Sequence, residues 1–169
     1  MPQVEIERKF IIKIPDISAM REFSDYTESK IMQIYLKSPI AVTHRIRSRE
    51  FCGKTVYTET KKIRIDKMSA VEDEHEISKT DFDRLSLEIQ EGTLPINKTR
   101  HTFSYRGKVF EIDVYPKWQK TCIMETELNS RDEKVDFPPF IEIVSEVTGN
   151  RAYSNASMAK KFPDEKGDL

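Results

Sequence analysis

The sequence predicts an α+β fold made mainly of antiparallel strands with three or four short helices. Short segments in which charged residues alternate with apolar or β-branched residues recur along the chain, and this period of two is typical of strands. Stretches with helical spacing are few and short, so regular βαβ units are not expected. The length of 169 residues predicts one domain over 1–169, in which residues 162–169 form a polar tail that we expect to fray.

Eight segments carry the strand pattern, and turn residues separate several of them. The second stops near Pro39, and a hairpin turn with Gly53 at positive φ joins the third to the fourth. A polar loop is expected over 66–73, and Arg106-Gly107 turns the sixth strand into the seventh. The predicted strands cover 4–12, 31–36, 41–49, 55–65, 74–77, 96–105, 109–115 and 122–128.

The helices are predicted from caps and from the spacing of apolar residues. A short helix is expected over 17–23, and a capping box that begins at Thr80 precedes a second helix ending near Gly92. Two further helical pieces are expected near the C-terminus, one before Gly149 and one over 155–161.

Composition and charge exclude several classes of protein. Charged residues make up 34% of the chain, yet 28 basic and 29 acidic residues leave a net charge of −1, so nucleic acid is not an expected partner. Cys52 and Cys122 lack a metal-binding spacing; reduced thiols are expected, with one disulfide left open. His44, His75 and His101 also lack ligand spacing and are expected to pack or lie on the surface. Without a signal-peptide pattern or a bilayer-spanning apolar run, a cytoplasmic protein with no membrane partner is expected.

The N-terminal strand carries the most informative pattern. Because residues two apart share a face of a strand, Glu5, Glu7 and Lys9 point to one side. Two carboxylates beside an ammonium can hold a divalent cation and a phosphate together, since Mg²⁺ takes oxygen ligands from one or two carboxylates and from substrate phosphate. The alternative is that this face is the solvated side of a half-buried sheet.

Charged residues recur at i and i+2 in the later strands as well, and basic and acidic pairs mostly fall on different strands. A sandwich would send such faces to solvent, whereas a closed barrel would turn them into a polar lumen. A lumen walled by Arg and Lys with a carboxylate patch suits a polyanion carried by a metal ion. The sets are Arg45, Arg47 and Arg49; Glu59 and Lys61; Glu74 and Glu76; Lys98 and Arg100; Glu111 and Asp113; and Glu125 and Glu127.

These motifs, taken in order, resemble those of the CYTH superfamily, the triphosphate tunnel metalloenzymes. Glu5, Glu7 and Lys9 match its N-terminal ExExK signature, and the resemblance covers about residues 4 to 160. The other matching segments are Gln33-Ile34-Tyr35-Leu36 (QGYL), Arg45-Ile46-Arg47 (RxR), Lys61 (the lysine of TxK), Glu74-His75-Glu76 (ExE), Lys98-Thr99-Arg100 (KxR), Glu111-Ile112-Asp113-Val114-Tyr115 (ExDVF), Glu125-Thr126-Glu127-Leu128 (ExE), and Glu146-Val147-Thr148 with Tyr153-Ser154-Asn155 (EVT and YxN).

The resemblance implies a closed eight-stranded antiparallel β-barrel that forms a tunnel, with short helices packed outside. A triphosphate compound would bind inside, with Mg²⁺ or Mn²⁺ as cofactor. The leading expectation is metal-dependent hydrolysis of inorganic tripolyphosphate or of a nucleoside or thiamine triphosphate. The alternatives are a class IV-type adenylate cyclase, which makes cyclic AMP and pyrophosphate from ATP, and a non-catalytic binder of polyphosphate or nucleotide. The size resembles the compact bacterial members, and a homodimer is left open.

The same resemblance implies roles for individual residues. The implied metal ligands are Glu5, Glu7, Glu125 and Glu127. The triphosphate would be held by Lys9, Arg45, Arg47, Lys61, Lys98 and Arg100, and Glu74, Glu76 and Asp113 would also line the tunnel. Lys9 and Tyr35 are candidate catalytic residues that would polarise the attacking water, on condition that the pKa of Lys9 is depressed; a carboxylate or the cation is the alternative.

Three positions depart from the family pattern. Ile34 replaces the glycine of the QGYL motif, Glu59 replaces the threonine expected before the TxK lysine, and Glu72 stands where an arginine is often found. The two glutamates add negative charge near a phosphate site. They could lower affinity, alter specificity, or mark a member that binds without catalysis.

Overall fold

A computed structural model describes residues 2–166 and contains nine strands in one sheet. Eight of them close into an antiparallel β-barrel, which confirms the predicted fold class and excludes an open sandwich. The strands are β1 (Gln3–Lys13), β2 (Thr27–Tyr35), β3 (Val42–Phe51), β4 (Lys54–Arg64), β5 (Ser69–Ile77), β6 (Ile96–Tyr105), β7 (Lys108–Val114), β8 (Thr121–Glu127) and β9 (Ile143–Glu146).

Strand β1 closes the barrel because it is long enough to serve three partners. The sheet order is β5-β4-β3-β2-β6-β7-β8-β1-β9, and β5 also pairs with β1. Residues 3–6 of β1 pair with β5, and residues 7–13 pair with β8 along the opposite edge. Beyond the β5 pairing, β9 takes the remaining edge of β1 at residues 10–12. The side chains of each strand therefore alternate between a lumen and an outer surface.

Residues 2–166 contain three short α-helices: α1 (Ile17–Arg21), α2 (Lys79–Leu85) and α3 (Asn155–Lys160). Helix α2 begins two residues earlier than predicted, because the hydroxyl of Ser78 accepts a hydrogen bond from the backbone N–H of Asp81 at 3.0 Å and caps it. Among residues 2–166, no helix is long and apolar enough to cross a membrane.

Two segments that were predicted to be a loop and a helix form strands instead. The polar stretch 66–73 was predicted as a loop, but β5 begins within it at Ser69, because the buried Ser69 and Ala70 pair with β1. The piece before Gly149 was predicted as helical, yet it forms β9, since the open edge of β1 offers backbone hydrogen bonds there. In both places a distant strand overrides the local pattern.

Apolar residues form two clusters outside the barrel and one inside it. The outer clusters lie on the faces of β1, β6, β7 and β8, where Phe103 and Phe110 meet Met20 of α1, and under α2, where Ile46 meets Phe82. The inner cluster includes Tyr115 and Trp118 and packs against α3. Its residues Tyr35, Ile96 and Ile123 have the inward parity of their strands, so this cluster closes one end of the lumen.

Residues 162–166 lie in the tail that was expected to fray, and they contact the barrel instead. The indole Nε1 of Trp118 donates to the carbonyl of Pro163 at 3.0 Å. The carboxylate of Glu165 accepts hydrogen bonds from the backbone N–H groups of Gln119 and Thr121, which holds the segment against the β8 entry. The remainder of the predicted tail, 167–169, lies outside the described residues.

We expect Phe103→Ala to destabilise the barrel strongly. The side chain is fully buried and stacks on Phe23 and Phe110, so its truncation should lower the free energy of unfolding by about 3–5 kcal/mol. Urea denaturation followed by tryptophan fluorescence measures this. The matched control is Val109→Ala, on the neighbouring strand and 51% exposed, which should change stability by less than about 0.5 kcal/mol. Equal effects of the two variants would contradict the assignment of Phe103 to the core.

Candidate active site in the barrel lumen

The inward face of β1 carries the residues of the predicted ExExK motif. Phe10 and Ile12 pack into the outer apolar cluster, so the alternate residues Glu5, Glu7 and Lys9 point inward. They line a cavity of about 310 Å³ in the lumen. Closure of the barrel therefore converts a charged strand face into a tunnel wall.

Most of the predicted site residues meet in this cavity. Its lining contains eight basic and seven acidic side chains, so its formal charge is close to balanced. The predicted residues that line it are Glu5, Glu7, Lys9, Tyr35, Arg45, Arg47, Glu74, Lys98, Arg100, Glu125 and Glu127.

The structure replaces the predicted Lys61 with its neighbour Lys62. On β4, Tyr57 packs against Phe82 of α2 outside the barrel, so Glu59 and Lys61, which share its parity, also face outward. Lys62 faces the lumen, where its Nζ lies 3.3 Å from Glu72 Oε2. The prediction for Lys61 was wrong by one residue. Thr60-Lys61-Lys62 is then an intact TxK motif, so the apparent replacement of its threonine disappears.

Glu59 lies on the outer surface and adds no charge to the lumen. Its carboxylate is 2.6 Å from His44 Nε2 and 3.2 Å from His75 Nε2, which bridges three neighbouring strands. Both histidines thus lie on the outer face, in agreement with the expectation that they pack or lie on the surface.

Two further predicted tunnel residues do not line the cavity. Glu76 has the inward parity of Glu74 but is exposed near the end of β5. Asp113 is 1% exposed and lies beneath the cavity wall. Its carboxylate accepts from Lys98 Nζ at 2.6 Å and from Arg100 Nε at 2.7 Å. Asp113 therefore fixes two basic side chains and does not face the open space itself.

The basic side chains crowd one another deep in the lumen. Burial, with repulsion from Arg45 and Arg100, lowers the pKa of Arg47 to about 10. Burial also lowers the pKa of Lys98 to about 7, although the charge of Asp113 acts in the opposite direction. Repulsion from Arg100 and Arg47 adds to the effect of burial. Buried positive charge of this kind is stabilised by a bound polyanion.

Gln33 orients two groups of the site at once. Its Oε1 accepts from Arg47 Nε at 3.1 Å and Nη2 at 2.9 Å, and its Nε2 donates to the hydroxyl of Tyr35 at 3.1 Å. Gln33 is fully buried, so these bonds are made in a dry environment and hold both side chains in place.

Lys9 is held by the C-terminal segment as well as by a carboxylate. Its backbone N–H donates to Thr148 Oγ1 at 2.9 Å, and its Nζ lies 3.3 Å from the carbonyl oxygen of Tyr153. The Nζ also lies 3.1 Å from Glu125 Oε1. Although burial lowers the pKa of Lys9, the charges of Glu125 and Glu7 raise it above its ordinary value. A role of Lys9 as a base needs a depressed pKa, which these charges oppose.

The carboxylates from β1, β5 and β8 form an acidic region of the wall. Glu7 pairs across the sheet with Glu127, next to the pair of Lys9 and Glu125. The charge of Glu125, together with burial, raises the pKa of Glu7 to about 7. Burial and the neighbouring Glu72 raise the pKa of Glu5 to about 8. Carboxylates that repel each other to this degree are relieved by a cation or by a proton.

This donor set fits a hard divalent cation that shares its shell with the substrate. Among residues 2–166, no three side chains are already placed to hold a metal ion by themselves. Mg²⁺ is commonly held by one or two carboxylates while water and substrate phosphate complete its octahedron. The oxygen donors Glu5, Glu7, Glu125 and Glu127, in mutual repulsion, are the residues that would hold it.

Several lining residues were not assigned to the site from sequence. Lys62 was missed because the parity of β4 was placed one residue off. Glu72 was noticed only as a departure, although it lies 3.1 Å from Arg45 Nη2 and 10% exposed. Arg49 and Glu111 carried a signal, since each continues the charge alternation of a predicted strand. The further unassigned lining residues are Thr43, Arg64, Ser154 and Asn155.

Solved structures with the same fold are similar to this chain. The inorganic triphosphatase NE1496 has 28% sequence identity and a TM-score of 0.60, and the match covers 94% of this chain and 96% of that one. The protein PH1819 from Pyrococcus horikoshii OT3 has 25% identity and a TM-score of 0.57, over 76% of this chain and 80% of that one. No model of a protein family matches the sequence, and no curated protein matches it significantly.

A third structure is similar in fold alone. HpAC1 from Hippeastrum, described as an adenylyl cyclase with a dominant triphosphatase activity, has 15% identity and a TM-score of 0.50, over 74% of this chain and 80% of that one. Like the fold that the sequence motifs imply, this chain has a closed barrel whose lumen is lined by charges of both signs. These neighbours confirm the resemblance to the triphosphate tunnel family that is seen in the sequence motifs.

We expect the metal-free protein to lose thermal stability as the pH rises from roughly 5 to 7. Because their pKa values are raised, Glu5 and Glu7 stabilise the fold in their protonated forms. That contribution is complete below the ordinary carboxyl pKa of 4.5 and is lost as the pH passes through about 7 and about 8. Glu72 and Glu125, whose pKa values are lowered, lose their contribution only below 4.5. Lys98, whose pKa is lowered to about 7, adds stability only as the pH rises above that value, so all three groups act outside this window. Melting temperatures in EDTA across this range measure the effect.

The control separates the tunnel from the surface. Glu7→Gln should flatten the decline, whereas Glu146→Gln, which removes a carboxylate paired with Arg8 outside the lumen, should leave its slope unchanged. A melting temperature of the wild type that stays level or rises from pH 5 to 7 would contradict the assignment of raised pKa values to this pair of glutamates.

Proposed function

We propose that this protein hydrolyses a triphosphate compound inside the charged tunnel, with a divalent cation as cofactor. The observation that carries the proposal is the lumen itself, in which half-buried, mutually repelling cations adjoin half-buried, mutually repelling carboxylates. A phosphate chain satisfies the first group and a divalent cation satisfies the second. The similarity to the inorganic triphosphatase NE1496 over nearly the whole chain supports hydrolysis.

The basic side chains would bind the phosphate chain and neutralise the charge that develops on the transferred group. Arg47 is held by Gln33, and Lys98 and Arg100 are held by Asp113, so their positions are set before the substrate arrives. In phosphoryl transfer, such fixed positive charge and correct placement supply most of the rate enhancement. Asp113 and Gln33 therefore act as positioning residues.

Lys9 would act as a protonated cation and not as a base. Its raised pKa keeps the ammonium charged beside Glu125, where it can neutralise a phosphoryl oxygen. Tyr35 also lines the cavity, and the bond from Gln33 to its oxygen directs the hydroxyl proton elsewhere, so it can donate to a phosphate or to water.

The cofactor proposed is Mg²⁺ or Mn²⁺, held by Glu5, Glu7, Glu125 and Glu127. When bound, such a cation supplies Lewis-acid polarisation of phosphoryl oxygens. The near balance of basic and acidic side chains in the lining supports the requirement, because the wall alone cannot neutralise a compound with several negative charges. The carboxylates would otherwise repel the substrate.

Two other functions are separated from hydrolysis by their products. A cyclase would use the same phosphate site and release cyclic AMP with pyrophosphate. A non-catalytic binder is favoured by one observation, the carboxylate of Glu72 beside the phosphate-binding cations; Glu59 no longer supports it, because it faces outward.

Incubation with tripolyphosphate, ATP and thiamine triphosphate, each with Mg²⁺ or Mn²⁺, tests the proposal directly. We expect release of inorganic phosphate, its loss in EDTA, and a reduction of roughly 100-fold in Glu5→Gln, because that change removes a charge that holds the cation. Phosphate measurement and chromatography of nucleotides identify the products. Cyclic AMP with pyrophosphate would establish the cyclase, and tight binding without any turnover would establish the binder.

The two adjacent lysines of β4 provide a matched pair. Lys62→Gln should lower kcat/KM for the best substrate by about 10–100-fold, the loss expected for a charge-assisted contact. Lys61→Gln removes the same charge one residue away on the outer face and should change kcat/KM by less than about twofold. Steady-state kinetics of both variants at one ionic strength measure this. The opposite ranking would restore the assignment of Lys61 and reverse the parity of β4 in the site.

A further inference from the structure

Glu72 is a half-buried carboxylate in the tunnel wall that the proposed reaction does not use. Its side chain is 10% exposed, and its two oxygens have different partners: Oε1 lies 3.1 Å from Arg45 Nη2 and Oε2 lies 3.3 Å from Lys62 Nζ. Arg45 and Lys62 both line the cavity. One carboxylate therefore holds two of the cations that a phosphate chain would contact.

A phosphate chain without a metal ion is opposed by this arrangement. To reach Arg45 and Lys62 it must displace the carboxylate of Glu72 or approach it, and two negative charges at contact distance in a half-buried site repel strongly. The carboxylate cannot turn away to a third cation without breaking both ion pairs. The ion pairs with Glu72 thus weaken the attraction that Arg45 and Lys62 would exert on the polyanion.

A phosphate chain that carries a divalent cation is treated differently. The cation attracts Glu72 and also Glu5, whose Oε2 lies 3.6 Å from the same Lys62 Nζ. Neutralised by that cation, the two carboxylates can release Lys62 and Arg45 to the phosphate oxygens. The same residue therefore repels the bare polyanion and accepts its metal complex.

We propose that Glu72 is a specificity-determining residue, which makes the tunnel select the complex of a triphosphate with a divalent cation and reject the same polyanion without the cation. The inference rests on the proposed function for the identity of the ligand, but it concerns binding and needs no turnover.

Glu74 provides an internal comparison on the same strand face. Its carboxylate also lines the cavity, but it is 37% exposed and lies 3.9 Å from Arg45 Nη2, while its Oε2 accepts from the Thr60 hydroxyl at 3.1 Å. Glu72→Gln and Glu74→Gln remove the same formal charge from the lining. Only Glu72→Gln frees both Arg45 and Lys62 from an ion pair. The two variants therefore distinguish the loss of these ion pairs from the loss of one negative charge.

The experiment is calorimetric titration with diimidotriphosphate, in which P–N–P bridges that resist hydrolysis replace both P–O–P bridges, in EDTA and in Mg²⁺. For the wild type we expect much weaker binding in EDTA than in Mg²⁺. Glu72→Gln should bind the probe about tenfold more tightly in EDTA, and Glu74→Gln less than about threefold more tightly. Glu72→Asp keeps the charge but shortens the reach, so it should also gain affinity in EDTA, by an intermediate factor.

Each outcome decides the question. Equal gains in Glu72→Gln and Glu74→Gln, or no gain in Glu72→Gln, would overturn the inference. Melting curves establish that each variant is folded before titration, and if Glu72→Gln does not fold, a Glu72→Asp variant that binds no better than the wild type in EDTA overturns it. Phosphate release by the wild type is measured separately, so that a failure of the proposed hydrolysis is not confused with a failure of the role of Glu72.

Discussion

The double pairing of β1 is the constraint on which the rest of the structure depends. Its first residues bond to β5 and its later residues to β8, and this closes an otherwise open sheet. Once the sheet is closed, every second side chain of each strand points into the lumen. The charged faces of the strands then lie close to one another in the lumen instead of being solvated on an open sheet. The apolar faces lie outside, where helices and loops cover them.

Like charges in the resulting lumen repel one another, and this repulsion favours the binding of ligands of opposite charge. Burial and neighbouring cations lower the pKa of Arg47 on one part of the wall, while burial and neighbouring glutamates raise the pKa of Glu5 on another. A packed apolar interior would stabilise the fold more than this arrangement does. The protein instead carries an unfavourable charge distribution that a phosphate chain and a divalent cation relieve together, which links affinity for one to the presence of the other.

Much of this site could be predicted from sequence, because the period of two in a strand assigns side chains to faces without any knowledge of the fold. The prediction failed where the face depended on contacts elsewhere. Nothing within Glu59-Thr60-Lys61-Lys62 reveals which lysine points inward; the packing of Tyr57 on Phe82 of α2 decides it. Likewise, β9 forms because an edge of β1 is open, and the role of Asp113 beneath Lys98 and Arg100 needs distances.

The attachment of Lys9 to the C-terminal segment links the site to the order of synthesis. Thr148 bonds the backbone of Lys9 across 139 positions of sequence, and Tyr153 contacts its ammonium across 144. Such long-range contacts form late and slowly during folding. All eight strands of the barrel emerge from the ribosome before residues 147–153, so a nascent chain can close its sheet while its first lysine still lacks these partners. The contacts that hold Lys9 in the tunnel are therefore completed only after residue 153 has been made.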